Sequence, residues 1–183
     1  MKIVLASKSP RRSEILKNAG IDFTVRVADA DETIPHGTKP EDAVVFLAAR
    51  KAMAVTRAKD EMVLAADTVV VLDGEILGKP KDKDDAYNMI KKLSGRVHSV
   101  FTGVCAIADG FSMTFSEETR VEFYNLTDEE INVYINTDEP YDKAGAYGIQ
   151  GIASKFIRGI DGDYFNVVGL PISAIYQKIL KNR

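Results

Sequence analysis

The hydrophobic and polar positions along the chain follow two different periods, which predicts a mixture of strands and helices. Apolar runs of strand length occur at residues 3–6, 63–72, 97–108 and 111–123. Asp-Gly pairs, which favour tight turns, occur at residues 73–74, 109–110 and 161–162. These pairs predict three hairpins, the last of them joining a further pair of strands.

Helical segments are indicated by apolar residues three or four positions apart and by helix start signals. Ser9 is predicted to cap a first helix over residues 10–18, with Ile15, Leu16 and Ala19 facing inward. Further helices are predicted to start near Pro40, Asp82, Thr127 and Pro171. Strands and helices therefore alternate over much of the chain.

This alternation indicates an α/β fold, and the hairpins exclude a purely parallel sheet. The 183 residues are enough for one domain with a sizeable core, with room for two lobes around a cleft. No internal repeat or low-complexity linker divides the chain. We therefore expect a mixed sheet in a single domain that spans residues 1–183.

Composition then narrows the class of protein. Hydrophobic residues make up 45% and charged residues 28%, as in ordinary globular domains, and no apolar stretch is long enough to cross a membrane. The net charge of −3 argues against a nucleic-acid polymer as partner. Cys105 is the only cysteine, which excludes an intramolecular disulfide and predicts a small core residue. With no signal peptide visible, we expect a cytoplasmic protein.

The first candidate site follows the first strand, at residues 7–12 (SKSPRR). A strand end that leads into a helix start leaves backbone N–H groups free, and the helix dipole favours an anion there. Arg11 and Arg12 add guanidinium groups that match phosphate oxygens, and Ser7 and Ser9 add hydroxyls. The alternative, a helix cap beside a solvated basic face, fits these residues equally well.

The second candidate is Asp67, a carboxylate within the apolar run LAADTVVV. Burial of an unpaired charge is costly, so Asp67 is expected to meet a metal, a basic partner or a cleft. In such a place an aspartate can hold a divalent ion or deprotonate a water molecule. The hairpin that follows can return Lys79 to the same strand end, although a solvated loop lysine is the simpler interpretation.

The third candidate is a glycine-rich segment at residues 139–151 (EPYDKAGAYGIQG). Its glycines allow a close approach of the backbone to a ligand, and Gln150 offers a donor and an acceptor that suit the edge of a nucleobase. Asp142 and Lys143 are expected to pair with each other. A plain connecting loop is the alternative interpretation.

Motifs of several other chemistries are missing from the chain. It has no Walker-type phosphate loop, no GxGxxG, no HExxH and no GxSxG. His36, expected in a loop, and His98, expected in a strand, are interpreted as surface or core residues rather than as ligands. From the residues alone, the basic cluster, the buried acid and the glycine-rich segment indicate a phosphate-bearing small molecule as ligand.

Five motifs together resemble the Maf family of nucleotide pyrophosphatases and occur in that family's order. They are LASKSPRR at residues 5–12, ADTVV at 66–70, LGKP at 77–80, SGRVH at 94–98 with TGV at 102–104, and DKAGAYGIQG at 142–151. The resemblance implies an elongated mixed β-sheet flanked by helices, in two lobes around a cleft, similar to inosine triphosphate pyrophosphatases. It also implies hydrolysis of a nucleoside triphosphate to the monophosphate and pyrophosphate with magnesium or manganese.

The resemblance further implies roles for individual residues. Asp67 is expected to be the proton acceptor that activates water, and Glu32 and Asp67 are expected to hold the metal. The residues expected to surround the triphosphate are Ser9, Arg11, Arg12, Lys51 and Lys79. Asp138 departs from the family, because relatives commonly have glycine before the Glu-Pro, and this departure bears on the path of that loop.

Branches of the family differ in substrate. The branch acting on dTTP and UTP resembles this chain in carrying Ala-Asp-Thr at residues 66–68 and Gly-Ile-Gln-Gly at 148–151, which makes Arg11, Thr68 and Gln150 the implied specificity positions. We therefore expect a house-cleaning hydrolase for dTTP, UTP and modified pyrimidine triphosphates. The alternatives are a 7-methyl-GTP pyrophosphatase and a nucleotide-sensing regulator that inhibits septum formation. Relatives are often dimers, so a homodimer is one option for the assembly.

Overall fold

The computed structural model describes residues 1–35 and 37–181, and these form an α/β fold with one mixed sheet. The strands in chain order are β1 (Lys2–Leu5), β2 (Phe23–Val25), β3 (Glu61–Leu72), β4 (Glu75–Leu77), β5 (Val97–Ala108), β6 (Phe111–Phe123) and β7 (Ile157–Asp161). Six of them follow the order β2-β1-β3-β5-β6-β7, and β4 pairs with β3. β1 is parallel to β2 and β3, whereas β4 is antiparallel to β3 and β7 to β6. The predicted α/β class with a mixed sheet is confirmed.

All helices except α5 begin at the predicted start signals. In chain order they are α1 (Pro10–Asn18), α2 (Pro40–Ala54), α3 (Lys83–Leu93), α4 (Asp128–Ile135), α5 (Tyr164–Val168) and α6 (Ile172–Ile175), which continues as a wider turn at Tyr176–Leu180. The Asp82 carboxylate accepts the Asp85 N–H at the start of α3, and Thr127 with Glu130 forms a capping box at the start of α4. Local capping chemistry therefore fixes these helix starts.

The prediction of a hairpin at residues 161–162 was wrong. β7 ends at Asp161, and the chain continues into α5 rather than into a strand. Asp163 directs this change, because its carboxylate accepts the N–H of Phe165 at 2.8 Å. Its own N–H and carbonyl each form a 3.0 Å hydrogen bond with the Thr119 hydroxyl. These bonds favour a helical turn over strand pairing.

Two smaller features near the N-terminus also differ from the prediction. Ala19, expected to face inward, is exposed at the end of α1. The strand β2 was not predicted, because its three residues are half-buried or exposed and form no apolar run. Parallel pairing with β1, in which Phe23 lies opposite Ile3, defines this strand instead.

Contacts divide the chain into two compact units, each with its own apolar core. Unit 1 comprises Met1–Thr68, Thr102–Glu117 and Gly169–Arg183, and unit 2 comprises Val69–Phe101 and Glu118–Val168. Cys105 lies in the core of unit 1 as predicted, and burial raises its pKa to about 11. No helix in the described part of the chain is long and apolar enough to cross a membrane. A single functional domain over residues 1–183 stays a prediction.

Within unit 1, helix α2 lies unusually close to strand β5 at Gly103. A Cβ atom on Gly103 would overlap with the backbone of Val44 and Val45 in α2. Lys51 follows Val44 by two helical turns and therefore lies on the same face of α2. The absence of a side chain at Gly103 thus leaves room for the backbone of α2, and this close approach brings Lys51 near the sheet.

We predict that Gly103→Ala lowers the free energy of unfolding by about 1–3 kcal/mol, because an added methyl group in a packed contact forces the backbone apart. Gly159→Ala is the matched control, since a Cβ there would meet nothing within 4 Å. Urea unfolding of the two variants measures the difference. Equal stability of the two would contradict the close approach at Gly103.

An ion pair joins the segment after β2 to the start of β3 in unit 1. Arg26 donates hydrogen bonds of 2.8 and 2.9 Å to the two carboxylate oxygens of Glu61, and the N–H of Ala58 adds a third of 2.8 Å. The bond from Arg26 is the main cause that lowers the pKa of Glu61 to about 2. Glu61 therefore stays ionised in the folded protein at pH values where it would be protonated in the unfolded chain.

This pKa predicts how the contribution of the Arg26–Glu61 pair to the free energy of unfolding depends on pH. Because the folded pKa is below the unfolded value of about 4.3, the contribution is complete above that value and is lost as the pH falls towards 2. We expect Arg26→Gln to be less stable than the wild type at pH 7, with a gap that narrows between pH 5 and 3. Urea titrations at several pH values measure the gap. Arg158→Gln, which breaks an exposed pair with Glu122, is the control and should show little effect.

Candidate functional site

A cluster of opposite charges surrounds Lys51 in unit 1. Lys51 lies in the last turn of α2, and its Nζ is 2.8 Å from Oε1 of Glu32 and 2.5 Å from Oδ1 of Asp67. The Asp67 side chain is 13% exposed, whereas that of Glu32 is 66% exposed. Two carboxylates therefore converge on one cation, one of them sheltered and the other open to solvent.

Asp67 lies inside β3, where the sequence predicted that a carboxylate would need a partner. Asp67 and Thr68 are the only half-buried positions of this strand, and its other ten residues are buried. Lys51 supplies the basic partner expected for Asp67, so the charge of Asp67 is compensated within the protein. The cluster thus joins three of the predicted site residues.

The guanidinium of Arg12 binds the backbone and side chains around Asp67. Its Nη1 donates to the carbonyl of Ala66 at 2.7 Å and its Nη2 to the hydroxyl of Thr68 at 3.1 Å, one on each side of Asp67. Nε donates to the carbonyl of Gly169 at 2.8 Å, and Nη1 also reaches Oγ of Ser7 at 3.2 Å. Arg12 therefore joins α1, the segment after β1, strand β3 and the segment before α6.

The environment of Arg12 is largely desolvated. Burial lowers the pKa of Arg12, and the nearby negative charge of Asp67 opposes this change. The positive charge of Arg11, in the same first turn of α1, lowers the pKa further. A guanidinium stays protonated in proteins, so Arg12 keeps a full positive charge next to the residues that flank Asp67. Arg11 and Arg12 are therefore close neighbours, as their spacing in the sequence predicted.

The hydroxyl groups near this site have definite partners. Oγ1 of Thr68 accepts from Arg12 and lies 2.9 Å from Oγ1 of Thr102, a buried residue of β5. Thr102 belongs to the TGV motif but was given no role in the site, although a polar residue inside the apolar run 97–108 is a signal that points to one. Ser9 occupies the N-cap position of α1 as predicted, but its hydroxyl makes no capping bond. Its N–H donates to Oγ of Ser7 at 3.2 Å.

Unit 2 holds the two remaining predicted residues, Lys79 and Gln150, and both are exposed. Their segments are connected, because the N–H of Gly145 donates to the carbonyl of Gly78 at 3.0 Å. Gly145 has φ 66° and packs on Val70 so closely that a Cβ there would clash. The GKP turn and the glycine-rich segment are thus held against each other.

The glycine-rich segment is more ordered than a plain loop. It contains short 3₁₀ turns at Glu139–Asp142 and Ala144–Ala146, and Asp142 pairs with Lys143 at 2.6 Å as predicted. The hydroxyl of Tyr147 lies 2.7 Å from Nε2 of His98 in the core of unit 2. Burial lowers the pKa of His98 to about 4, so this histidine is neutral near pH 7 and serves as a core residue. His36 lies outside the described residues.

The carboxylates of Glu32 and Asp67 also fit a hard divalent cation. Among residues 1–35 and 37–181, no group of three or more histidine, cysteine, aspartate or glutamate side chains is arranged to hold a metal by itself. Magnesium, however, usually takes one or two carboxylates and completes its shell with water and substrate phosphates. Two carboxylates already convergent on an ammonium group are an oxygen donor set of this kind.

Comparison with known proteins agrees with the motifs. The family model described as Maf-like protein matches residues 2–182. A Bacillus anthracis protein named dTTP/UTP pyrophosphatase is 49% identical over 179 residues, which cover 97% of this chain and 94% of the relative. A protein of the same name from Bacillus cytotoxicus is also 49% identical, with the same coverage. Among solved structures, the Staphylococcus aureus Ham1 protein matches with a TM-score of 0.48 and 20% identity, covering 67% of this chain and 72% of that chain.

The contacts of Arg12 predict that lysine cannot replace it. A compact ammonium group cannot reach the four acceptors that the guanidinium fork contacts, so buried acceptors are left unsatisfied. We expect Arg12→Lys to lower the free energy of unfolding by about 1–3 kcal/mol. Urea unfolding tests this, with Arg158→Lys at an exposed pair as the control. If both variants unfold like the wild type, the four contacts do not stabilise unit 1.

Proposed function

The chain belongs to the Maf-like protein family, and from this premise we propose that it hydrolyses dTTP and UTP to the monophosphate and pyrophosphate. Relatives that are about half identical to it over nearly their whole length are named dTTP/UTP pyrophosphatase. The observation that carries the proposal is the contact of Asp67, a sheltered carboxylate, with the ammonium group of Lys51. A sheltered acid beside basic groups suits both proton transfer and the binding of phosphate.

In the proposed mechanism, Asp67 accepts a proton from the water molecule that attacks the α-phosphorus. Glu32 and Asp67 would hold a Mg²⁺ or Mn²⁺ ion, which would polarise the phosphorus centre. Lys51 compensates the negative charge of both carboxylates, which it contacts at 2.8 and 2.5 Å. The leaving pyrophosphate gains negative charge, which nearby cations neutralise.

The remaining basic and hydroxyl groups bind and orient the triphosphate in this proposal. The residues proposed to contact it are Ser9, Arg11, Lys51 and Lys79. Arg12 contributes indirectly, because its donors are engaged with the Ala66 carbonyl and the Thr68 hydroxyl, one on each side of Asp67, and with Ser7 and Gly169. We propose that Arg12 holds Asp67 in the orientation that proton transfer requires, rather than contacting the triphosphate.

Specificity for uracil and thymine is proposed to reside in Gln150, with Thr68 and Arg11 contributing. The side-chain amide of glutamine has one acceptor oxygen and one donor group. These complement the N–H and carbonyl that uracil and thymine present side by side. Cytosine presents the reverse pattern of donor and acceptor at those positions, so an amide held in one orientation discriminates against it.

The setting of the enzyme is also part of the proposal. A small nucleoside triphosphate is the partner expected from the family, and a homodimer and a cytoplasmic location are proposed with it. Cys105 is a free, buried thiol, so the fold does not depend on a disulfide, which would form in an oxidising compartment. Size-exclusion chromatography with light scattering tests the dimer directly.

The sharpest test of the mechanism is Asp67→Asn, which keeps the size of the side chain and removes the proton acceptor. We expect kcat for UTP and dTTP to fall about 10²–10⁴-fold with the fold retained. Asp60→Asn makes the same chemical change at an exposed residue of unit 1 and should leave the rate unchanged. Pyrophosphate release with and without Mg²⁺ or Mn²⁺ is the measurement.

The substrate panel for the wild type includes dTTP, UTP, CTP, GTP and 7-methyl-GTP. Metal-dependent release mainly from dTTP and UTP supports the proposal. Full activity of Asp67→Asn would refute the role of Asp67 as base, and a preference for 7-methyl-GTP would refute the substrate. If the wild type releases no pyrophosphate from any nucleotide of the panel, the result would favour a nucleotide-sensing regulator of septum formation instead.

A further inference from the structure

The carboxylate of Glu139, at the start of the glycine-rich segment, binds the backbone at the far end of that segment. Its Oε2 accepts the N–H of Ile152 at 2.6 Å, and its Oε1 accepts the N–H of Ala153 at 3.1 Å. The hydroxyl of Tyr134, a buried residue of α4, lies 3.2 Å from the same Oε1. One charged group therefore closes the segment into a loop whose ends are tied together.

The glycines on either side of Gln150 are required by this closure. A Cβ on Gly151 would occupy the position of the Glu139 carboxylate, and a Cβ on Gly148 would lie 2.8 Å from Cε of Lys143. The ammonium group of Lys143 in turn donates to the carbonyl of Glu139 at 2.7 Å. The backbone that carries Gln150 therefore packs directly on Glu139 and Lys143.

The departure from the family at Asp138 leaves this arrangement intact. Asp138 has φ −80° and ψ −8°, a right-handed conformation that any residue adopts, so glycine is not needed there. The side chain of Gln150 itself is exposed. The position of its Cα is set by the backbone that carries it, and Glu139 binds that backbone two and three residues further on, at Ile152 and Ala153.

We propose that Glu139 is a positioning residue for base recognition. Its carboxylate binds the N–H groups of Ile152 and Ala153 and packs against Gly151, and so aims the amide of the neighbouring Gln150, which lowers the cost of ordering that segment when a nucleotide binds. The inference rests on the proposed function only in taking Gln150 as the group that binds the base. A glutamate with a purely structural role would affect stability but not the choice of base.

The test begins with Glu139→Gln, which keeps the shape but supplies one acceptor oxygen for the two N–H groups. We expect the amide hydrogens of Ile152 and Ala153 to exchange about tenfold faster, as follows from the loss of one charge-assisted hydrogen bond. This exchange is measured by NMR or mass spectrometry without substrate. Glu129→Gln, an exposed change on α4, is the matched control, and unchanged exchange in Glu139→Gln overturns the proposal.

The functional readout is the split between KM and kcat with UTP and CTP as probes. We expect Glu139→Gln to raise KM for UTP about tenfold, to change kcat little and to reduce the preference for UTP over CTP. Loss of kcat at constant KM, or an unchanged preference, overturns the proposal. Because amide exchange needs no turnover, an inactive wild type would refute the proposed function while exchange still tests Glu139.

A double-mutant cycle decides whether Glu139 acts through Gln150. If it does, Glu139→Gln causes no further loss of UTP preference in a Gln150→Ala background. If the full effect persists in that background, Glu139 does not act by aiming Gln150, and the proposal is wrong. Glu139→Ala serves as a second variant, and thermal unfolding of each variant separates misfolding from misorientation.

Discussion

The compensation of the Asp67 charge is the constraint on which the candidate site depends. A carboxylate in an otherwise apolar strand is stable only with a counter-charge close by. Lys51 supplies that charge because α2 approaches β5 where Gly103 has no side chain, and Lys51 lies two turns along the same helix face. A close-packed backbone contact and an ion pair in unit 1 are therefore parts of one arrangement.

Arg12 adds orientation to this electrostatic balance. Its guanidinium binds the backbone carbonyl of Ala66 and the hydroxyl of Thr68, the two residues that flank Asp67 in β3. Fixed orientation matters because the donors and acceptors of a catalytic site contribute most when they need no rearrangement during the reaction. In the proposed mechanism, the guanidinium therefore acts by ordering the residues around Asp67.

The glycine-rich segment of unit 2 follows a related principle with different groups. Its backbone is held by the Glu139 carboxylate, by the carbonyl of Gly78 and by the Tyr147–His98 pair. If Gln150 binds the base as proposed, a segment that is ordered before the ligand binds lowers the entropy cost of that recognition. Both units therefore use buried or half-buried polar groups to hold a short stretch of backbone that carries proposed site residues.

The α/β class and most strand and helix positions follow from the sequence, because periodicity, caps and turn residues act over a few neighbours. Asp67 stood out as a charge within an apolar run, whereas Lys51 and Glu32 were implied by the resemblance to the Maf family. The sequence could not show that the donors of Arg12 are engaged, because their acceptors lie up to 157 positions away along the chain. For the same reason it missed Thr102 and Glu139. It also gave a hairpin at residues 161–162, where contacts of Asp163 with Thr119 decided in favour of α5. Local propensity sets the elements, whereas the partners of each polar group are chosen only when distant segments meet in the folded chain.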